Sequence, residues 1–216
     1  RDVSGDLYDF FKLDADRLFF LVGDVSGKGL AACMFMAVSK ALYKSAALRL
    51  LHAPNGASTG DAMRVANSEL SRDNAGLLFV TVFSGVLNLV DGRLEYSNAG
   101  HDAPSLLRVG ASGVQSLQAA AGPPLCAVED FPYVSSVHDL RRDDILVMVT
   151  DGVPEAMDAS GQLYGRQRLL ALLSAIQASM PIAEIASHIH DDVRRFVGNA
   201  EPSDDLAVMV LQWHGA

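Results

Sequence analysis

The strongest constraint on the fold is a hairpin signal in the middle of the chain. Residues 77–90 are apolar and rich in β-branched side chains, and Asp91-Gly92 separates them from a second strand-like segment at 93–98. An Asp-Gly pair favours the left-handed backbone of a two-residue turn between antiparallel strands. Segments 105–109 and 113–117 predict another hairpin, joined by residues 110–112, and 133–140 and 145–150 continue the pattern around the charged turn 141–144.

Helical periodicity flanks this strand-rich centre. Apolar residues recur at helical spacing in 30–47, in 60–71, in 166–178 and from Pro181 to about residue 196. Short apolar segments at 17–23 and 206–213 predict buried strands near the two ends of the sequence. Because the strands are not separated regularly by helices, the pattern predicts an α+β domain with antiparallel sheets rather than a parallel doubly wound sheet.

Size and charge limit the remaining possibilities. With 216 residues, half of them apolar, the sequence predicts one domain over residues 1–216. The net charge of −9 argues against a nucleic-acid surface, and no apolar segment is long enough for direct membrane insertion. No leader is visible, and Cys33 and Cys126 have no paired-cysteine spacing, so a cytoplasmic location with reduced cysteines is expected. The abrupt start suggests a piece of a longer protein.

Acidic residues occur repeatedly at the ends of predicted strands. Asp24 follows the strand 17–23, Asp151 follows 145–150, and Asp204-Asp205 precede 206–213, while Asp6 lies in a glycine-containing stretch near the start. Carboxylate and carbonyl oxygens are the ligands that magnesium and manganese prefer. Spacing alone leaves two alternatives open, which are a shared cation site and ordinary acidic turns.

The loop after the first strand resembles a nucleotide-binding loop but lacks its essential features. In the segment Gly23–Gly29 only three residues separate the first glycine from Gly27-Lys28, and Gly29 stands where a serine or threonine should bind magnesium. Asp24 would also repel a phosphate directly. The loop therefore favours contact with phosphate through a metal ion, and Lys28 is either a surface charge or an attractor of substrate.

Several short motifs together resemble a known family. In order along the chain they are Gly5-Asp6-Leu7-Tyr8-Asp9, Gly23–Gly29, Asn98-Ala99-Gly100-His101, Thr150-Asp151-Gly152 and Asp204-Asp205-Leu206. This set resembles the bacterial branch of the metal-dependent PPM protein phosphatases, of the sporulation stage II protein E-like and stress-response regulator type. The resemblance implies an antiparallel β-sandwich with α-helices on both outer faces, in a four-layer αββα arrangement.

The resemblance also implies a metal centre of two or more Mn²⁺ or Mg²⁺ ions. Asp24 would bridge two ions and the Val25 carbonyl would bind one of them, whereas Asp151 and Asp204 would complete the ligands of the second ion. Asp205 is the alternative to Asp204, and Asp6 would lie near the first ion and act through water. Asp24 and Asp151 are the expected catalytic residues.

The function implied by the resemblance is hydrolysis of phosphoserine or phosphothreonine by a metal-activated water. The expected substrate is a small phosphorylated regulatory protein, similar to an anti-sigma-factor antagonist in a partner-switching pathway. The chain would be the C-terminal part of a longer sensor protein. A homodimer is compatible with this function. His101 is either a general acid or a brace for its own loop. The alternatives are a non-catalytic interaction domain with the same fold and, less favoured by the acidic charge, a two-metal nuclease.

Overall fold

Two structural units make up the chain. In this computed structural model, residues 4–52, 56–72, 74–108, 113–118, 120–176, 180–201 and 204–215 are described. The first unit consists of the described residues of Arg1–His101 and Ala119–Leu140, and the second consists of those of Asp102–Gln118 and Arg141–Gly215. Each unit therefore combines segments that are distant in the sequence.

The described elements alternate between strands and helices in groups. In chain order they are β1 (Asp6–Lys12), β2 (Arg17–Val25), α1 (Leu30–Leu51), α2 (Thr59–Arg72), β3 (Val80–Asn88), β4 (Arg93–Ala99), β5 (Ser105–Leu107), β6 (Val114–Ser116), β7 (Ala121–Gly122), β8 (Ser136–Asp139), β9 (Ile145–Val149), α3 (Arg166–Ser174), α4 (Ile182–Val197) and β10 (Val208–Gln212).

The first unit is a largely antiparallel sheet covered by two helices. Strands β1, β2, β3 and β4 are neighbours in that order, and β4 also pairs with β8 and, in parallel, with β7. Helix α1 packs on β1 and β2, and α2 packs on β3 and β4. Alternate strand residues share one face of a sheet, so Phe19 and Leu21 of β2 enter the same core as Ala47 of α1 and Met63 of α2.

The second unit is a smaller antiparallel sheet with its own helices. Its strand order is β10-β9-β5-β6, with Val149 of β9 opposite Val208 of β10. All five residues of β9 are buried, as expected for the centre of a sheet. Helix α4 packs on β10 and places Ile185, Ile189 and Val193 in a core shared with β9.

The predicted α+β class with antiparallel sheets and helices is confirmed. The hairpin around Asp91-Gly92 is also present, but β3 ends at Asn88 and β4 begins at Arg93, so the connection has four residues rather than two. The predicted link at 110–112 lies outside the described residues. The organisation of residues 1–216 as one domain, within a longer protein, stays a prediction.

Strand β1 was not predicted, and the predicted face of α1 is wrong. The apolar stripe expected to face the core includes Leu30, Met34 and Val38, whose exposed fractions are 69%, 62% and 49%. The helix buries another face, which includes Tyr43 and Ala47. Apolar residues lie all around α1, so periodicity could not identify the buried side.

Two further expectations concern membranes and cysteines. Among the described helices, none combines the length and the apolar character needed to cross a membrane. Cys33 and Cys126 are both free and half-buried.

Candidate metal centre

In the first unit, the sheet brings Asp6 and Asp24 together. Asp24 was expected just after the strand, but β2 continues through Val25, because both residues have strand partners on β3. The register places Asp24 directly opposite Asp6 on β1 and opposite Thr81 on β3. Directly opposed like charges destabilise a strand pair, and a cation between them would relieve that repulsion.

Gly5 leaves space beside two of the predicted ligand atoms. A β-carbon on Gly5 would lie 3.0 Å from the Val25 carbonyl oxygen and 3.1 Å from Oδ1 of Asp24. The amide N–H of Val25 donates to the Gly5 carbonyl over 3.3 Å, which holds the two segments in register. A carboxylate oxygen and a carbonyl oxygen facing this space are a donor set suited to Mg²⁺ or Mn²⁺.

Thr81 connects the Asp24 strand to His101. The Thr81 hydroxyl lies 3.1 Å from Nδ1 of His101 and donates to the Asp24 carbonyl over 3.4 Å. Asn98 closes the His101 loop with two hydrogen bonds of 2.8 Å, donating to the His101 carbonyl and accepting its amide N–H. These contacts favour the bracing role of His101 over the role of a general acid.

In the second unit, the turn after β9 meets the segment that leads into β10. The Thr150 amide donates to the Ala207 carbonyl over 3.1 Å, and the Ala207 amide donates to the Thr150 hydroxyl over 3.0 Å. A β-carbon on Gly152 would lie 1.7 Å from the Asp205 carbonyl oxygen. Only glycine therefore fits between the Asp151 turn and the Asp204-Asp205 pair.

Carboxylates surround Asp151. Burial raises the pKa of the Asp151 carboxyl, and the negative charges of Glu155, Asp204 and Asp102 raise it further. An amide hydrogen bond from Gly152 opposes this shift only in part. Both causes penalise the charged form, and both would be relieved by a bound cation, so the environment of Asp151 fits a metal ligand.

Asp102 and Glu155 are two carboxylates near Asp151 that the sequence did not predict. Glu155 is four residues after Asp151, and its amide donates to the Asp151 carbonyl over 2.8 Å. The turn therefore brings Glu155 back beside Asp151. Asp102 directly follows the His101 motif and forms an ion pair of 3.4 Å with Arg166. Both lie next to motifs found in the sequence, which could have indicated them. Neither lies at the end of an apolar strand, which was the pattern that identified the other carboxylates.

Each unit holds its own group of carboxylates. Within the part of the chain that the structure describes, no group of three or more His, Cys, Asp or Glu side chains is arranged to hold a metal ion. The structure brings Asp6 to Asp24 and places Asp204 near Asp151, and both groups offer oxygen donors that suit hard cations.

Comparison with known proteins adds independent information. A family model described as stage II sporulation protein E matches residues 14–214. The phosphoserine phosphatase RsbP of Bacillus subtilis is 28% identical over 210 residues, which cover 97% of this chain and 49% of RsbP. The chain thus spans about half the length of this relative.

Solved structures show a similar fold. The structure of the RsbU and RsbW domains of a Mycobacterium tuberculosis protein superposes with a TM-score of 0.81 at 21% identity, covering 99% of this chain and 56% of that one. A structure of RsbX in complex with magnesium superposes with a TM-score of 0.67 at 14% identity, over 97% of this chain and 87% of that one. At these identities the likeness concerns the fold.

Proposed function

The chain belongs to the stage II sporulation protein E family, and we propose on that premise that it is a metal-dependent protein phosphatase acting on phosphoserine and phosphothreonine. The observation that carries the proposal is the concentration of carboxylates at the ends of β2 and β9. Asp6 opposes Asp24, and three other carboxylates raise the pKa of Asp151. A protein without a use for cations would gain stability by removing some of these charges.

The proposed ligands of two or more Mn²⁺ or Mg²⁺ ions follow the family pattern. We assign Asp24 and the Val25 carbonyl to the first ion, and Asp24, Asp151 and Asp204 to the second. Asp205 is the alternative to Asp204, and Asp6 acts through water. When bound, such ions would lower the pKa of an attacking water and neutralise charge on the phosphoryl group.

The protein's own residues hold the oxygen donors in place. The strand register fixes Asp24 relative to Asp6, and Thr81 and His101 brace the β2 backbone at the same point. The tight approach at Gly152 holds the Asp151 turn against the backbone of Asp205, the neighbour of Asp204. Such pre-organisation lowers the barrier, because the ligands need no rearrangement when charge develops during the reaction.

We propose a small phosphorylated regulatory protein as the substrate, similar to an anti-sigma-factor antagonist in a partner-switching pathway and located in the cytoplasm. The support is the family membership and the name of RsbP as a phosphoserine phosphatase. A homodimer is compatible with this function and stays a prediction.

The proposal is tested by hydrolysis of p-nitrophenyl phosphate and of a phosphoserine peptide with and without Mn²⁺. We expect Mn²⁺-dependent release of phosphate, abolished by Asp24→Ala and by Asp151→Asn in variants that remain folded by circular dichroism. Asp130→Asn is a matched control, since Asp130 is exposed and has a φ of 55° that asparagine tolerates well. Metal-independent turnover, or full activity in either site variant, would contradict the proposal.

A further inference from the structure

Leu77 is presented to solvent in an unusual way. Its side chain is 87% exposed, the largest value among the large apolar residues that the structure describes. Its φ of 49° lies in the left-handed region, which glycine and asparagine adopt readily but a bulky residue such as leucine rarely adopts. Neither property stabilises the folded chain, and strained, exposed apolar residues concentrate at binding sites.

Hydrogen bonds hold the segment around Leu77 in one conformation. The Leu77 amide donates to the Asn74 carbonyl over 3.1 Å, and the Asn74 side chain bonds both the amide and the carbonyl of Leu78. Next along the chain, the Phe79 amide donates to the Ser26 hydroxyl, and the Ser26 amide donates to the Phe79 carbonyl, each over 2.9 Å. The segment is therefore fixed to the loop that follows Asp24.

The apolar side chains and the positive charge near this segment are complementary to a phosphorylated polypeptide. Phe79 is also exposed, by 43%, and its backbone bonds to Ser26 place it beside the glycine-rich loop, two residues after Leu77. That loop carries an exposed cation, Lys28, two residues beyond Ser26. A phosphoserine dianion with an apolar neighbour would complement the positive charge of Lys28 and the apolar surface of Leu77 and Phe79 together.

We propose that Leu77 and Phe79 form a docking surface for the polypeptide that carries the phosphoserine, contacting an apolar side chain close to the phosphorylated residue. The inference rests on the proposed phosphatase function and adds a substrate preference to it. The pair determines specificity and takes no part in the reaction itself. A small phosphate ester has no flanking side chain, so its turnover is independent of Leu77.

The test compares Leu77→Asn with the unchanged protein. Asparagine tolerates the left-handed conformation better than leucine, so this variant removes the apolar contact without destabilising the loop. The probes are p-nitrophenyl phosphate and a set of short phosphoserine peptides in which one leucine is moved through each position beside the phosphoserine. We expect the unchanged protein to prefer at least one leucine position, and Leu77→Asn to lower kcat/KM for that peptide by about tenfold.

Val90→Asn is the matched control. Val90 is 55% exposed and follows β3, whereas Leu77 precedes the opposite end of the same strand. This control is expected to leave all rates unchanged, and Leu77→Asn is expected to leave p-nitrophenyl phosphate turnover unchanged.

Three results would overturn the inference. The first is an equal rate for every leucine position, and the second is an unchanged peptide preference in Leu77→Asn. The third is an equal loss with p-nitrophenyl phosphate, which would show a general effect on the site. If the unchanged protein hydrolyses neither probe with Mn²⁺, the phosphatase function itself fails and the docking surface fails with it, an outcome distinct from the other three.

Discussion

Replacing Gly152 by alanine tests whether the Asp151 turn must approach the Asp204-Asp205 segment closely. The new β-carbon would lie 1.7 Å from the Asp205 carbonyl oxygen and 2.8 Å from the carbonyl carbon. Both atoms belong to the backbone, so no side-chain rotation relieves the overlap. One of the two segments must move by roughly 1 Å or more to restore an ordinary contact.

The size of the effect follows from this displacement. Forcing an extra carbon into a filled site costs about 1–3 kcal/mol, and for a chain of this length each kcal/mol lowers the melting temperature by about 2–4 °C. A shift of about 1 Å in a catalytic group lowers the rate by about 100-fold. Gly152→Ala should therefore melt several degrees lower and lose most Mn²⁺-dependent turnover even when fully folded.

Gly161→Ala provides the comparison, because Gly161 lies in the same unit with a φ of 79° and an added β-carbon there would meet no atom within 4 Å. Its only cost is backbone strain of about 1–2 kcal/mol, so turnover per folded molecule should not change. Thermal denaturation and p-nitrophenyl phosphate hydrolysis at a temperature where all variants are folded measure both effects. A Gly152→Ala protein with unchanged melting temperature and turnover would refute the reasoning.

Three other changes test separate parts of the structure. Thr81→Val removes the hydroxyl beside His101 while keeping a β-branched residue, so we expect kcat to fall by about tenfold with stability within about 1 kcal/mol, measured by kinetics and urea denaturation. Burial alone would raise the pKa of the Asp192 carboxyl, but the hydrogen bond from the Tyr164 hydroxyl helps to bring that pKa below its ordinary value. The charged Asp192 side chain therefore stabilises the fold above about pH 4, and this stabilisation is lost as pH falls through the lowered pKa. The stability advantage over Asp192→Asn should therefore disappear in acid, as chemical denaturation at several pH values would show; an advantage that persists in acid contradicts this. Ser39→Ala should raise the free energy of unfolding by about 1 kcal/mol, because within the described residues the buried Ser39 hydroxyl has no hydrogen-bond partner, and a loss of stability would contradict that assignment.

Local signals in the sequence predicted the elements that depend on local physics. The Asp91-Gly92 turn and the continuous apolar segment of β9 identify a hairpin and a buried strand, since turn residues and apolar runs can be read directly from the sequence. Strand β1 has no such sequence signal. Tyr8 and Phe10 are exposed while Leu7 is buried, and charged residues interrupt the apolar pattern. Its pairing with β2 supplies the order that the local sequence does not.

The candidate site was predictable in part for the same reason. Asp24 and Asp151 were identified because they lie at the ends of apolar strands, and the structure confirms that placement for Asp151 and moves Asp24 into the strand. Glu155 and Asp102 were missed, because a turn and a loop bring them to Asp151 and no periodic pattern records such proximity. The assignment of these carboxylates to particular ions stays a prediction.

Titration with Mn²⁺ in a calorimeter tests the proposed metal centre most directly. We expect at least two ions bound to the unchanged protein, loss of this binding in Asp24→Ala, since Asp24 is the proposed ligand of both ions, and weaker binding in Asp151→Asn. Asp130→Asn should bind as the unchanged protein does. If the unchanged protein binds no Mn²⁺, or if Asp24→Ala binds as many ions with the same affinity, the proposed metal centre is wrong.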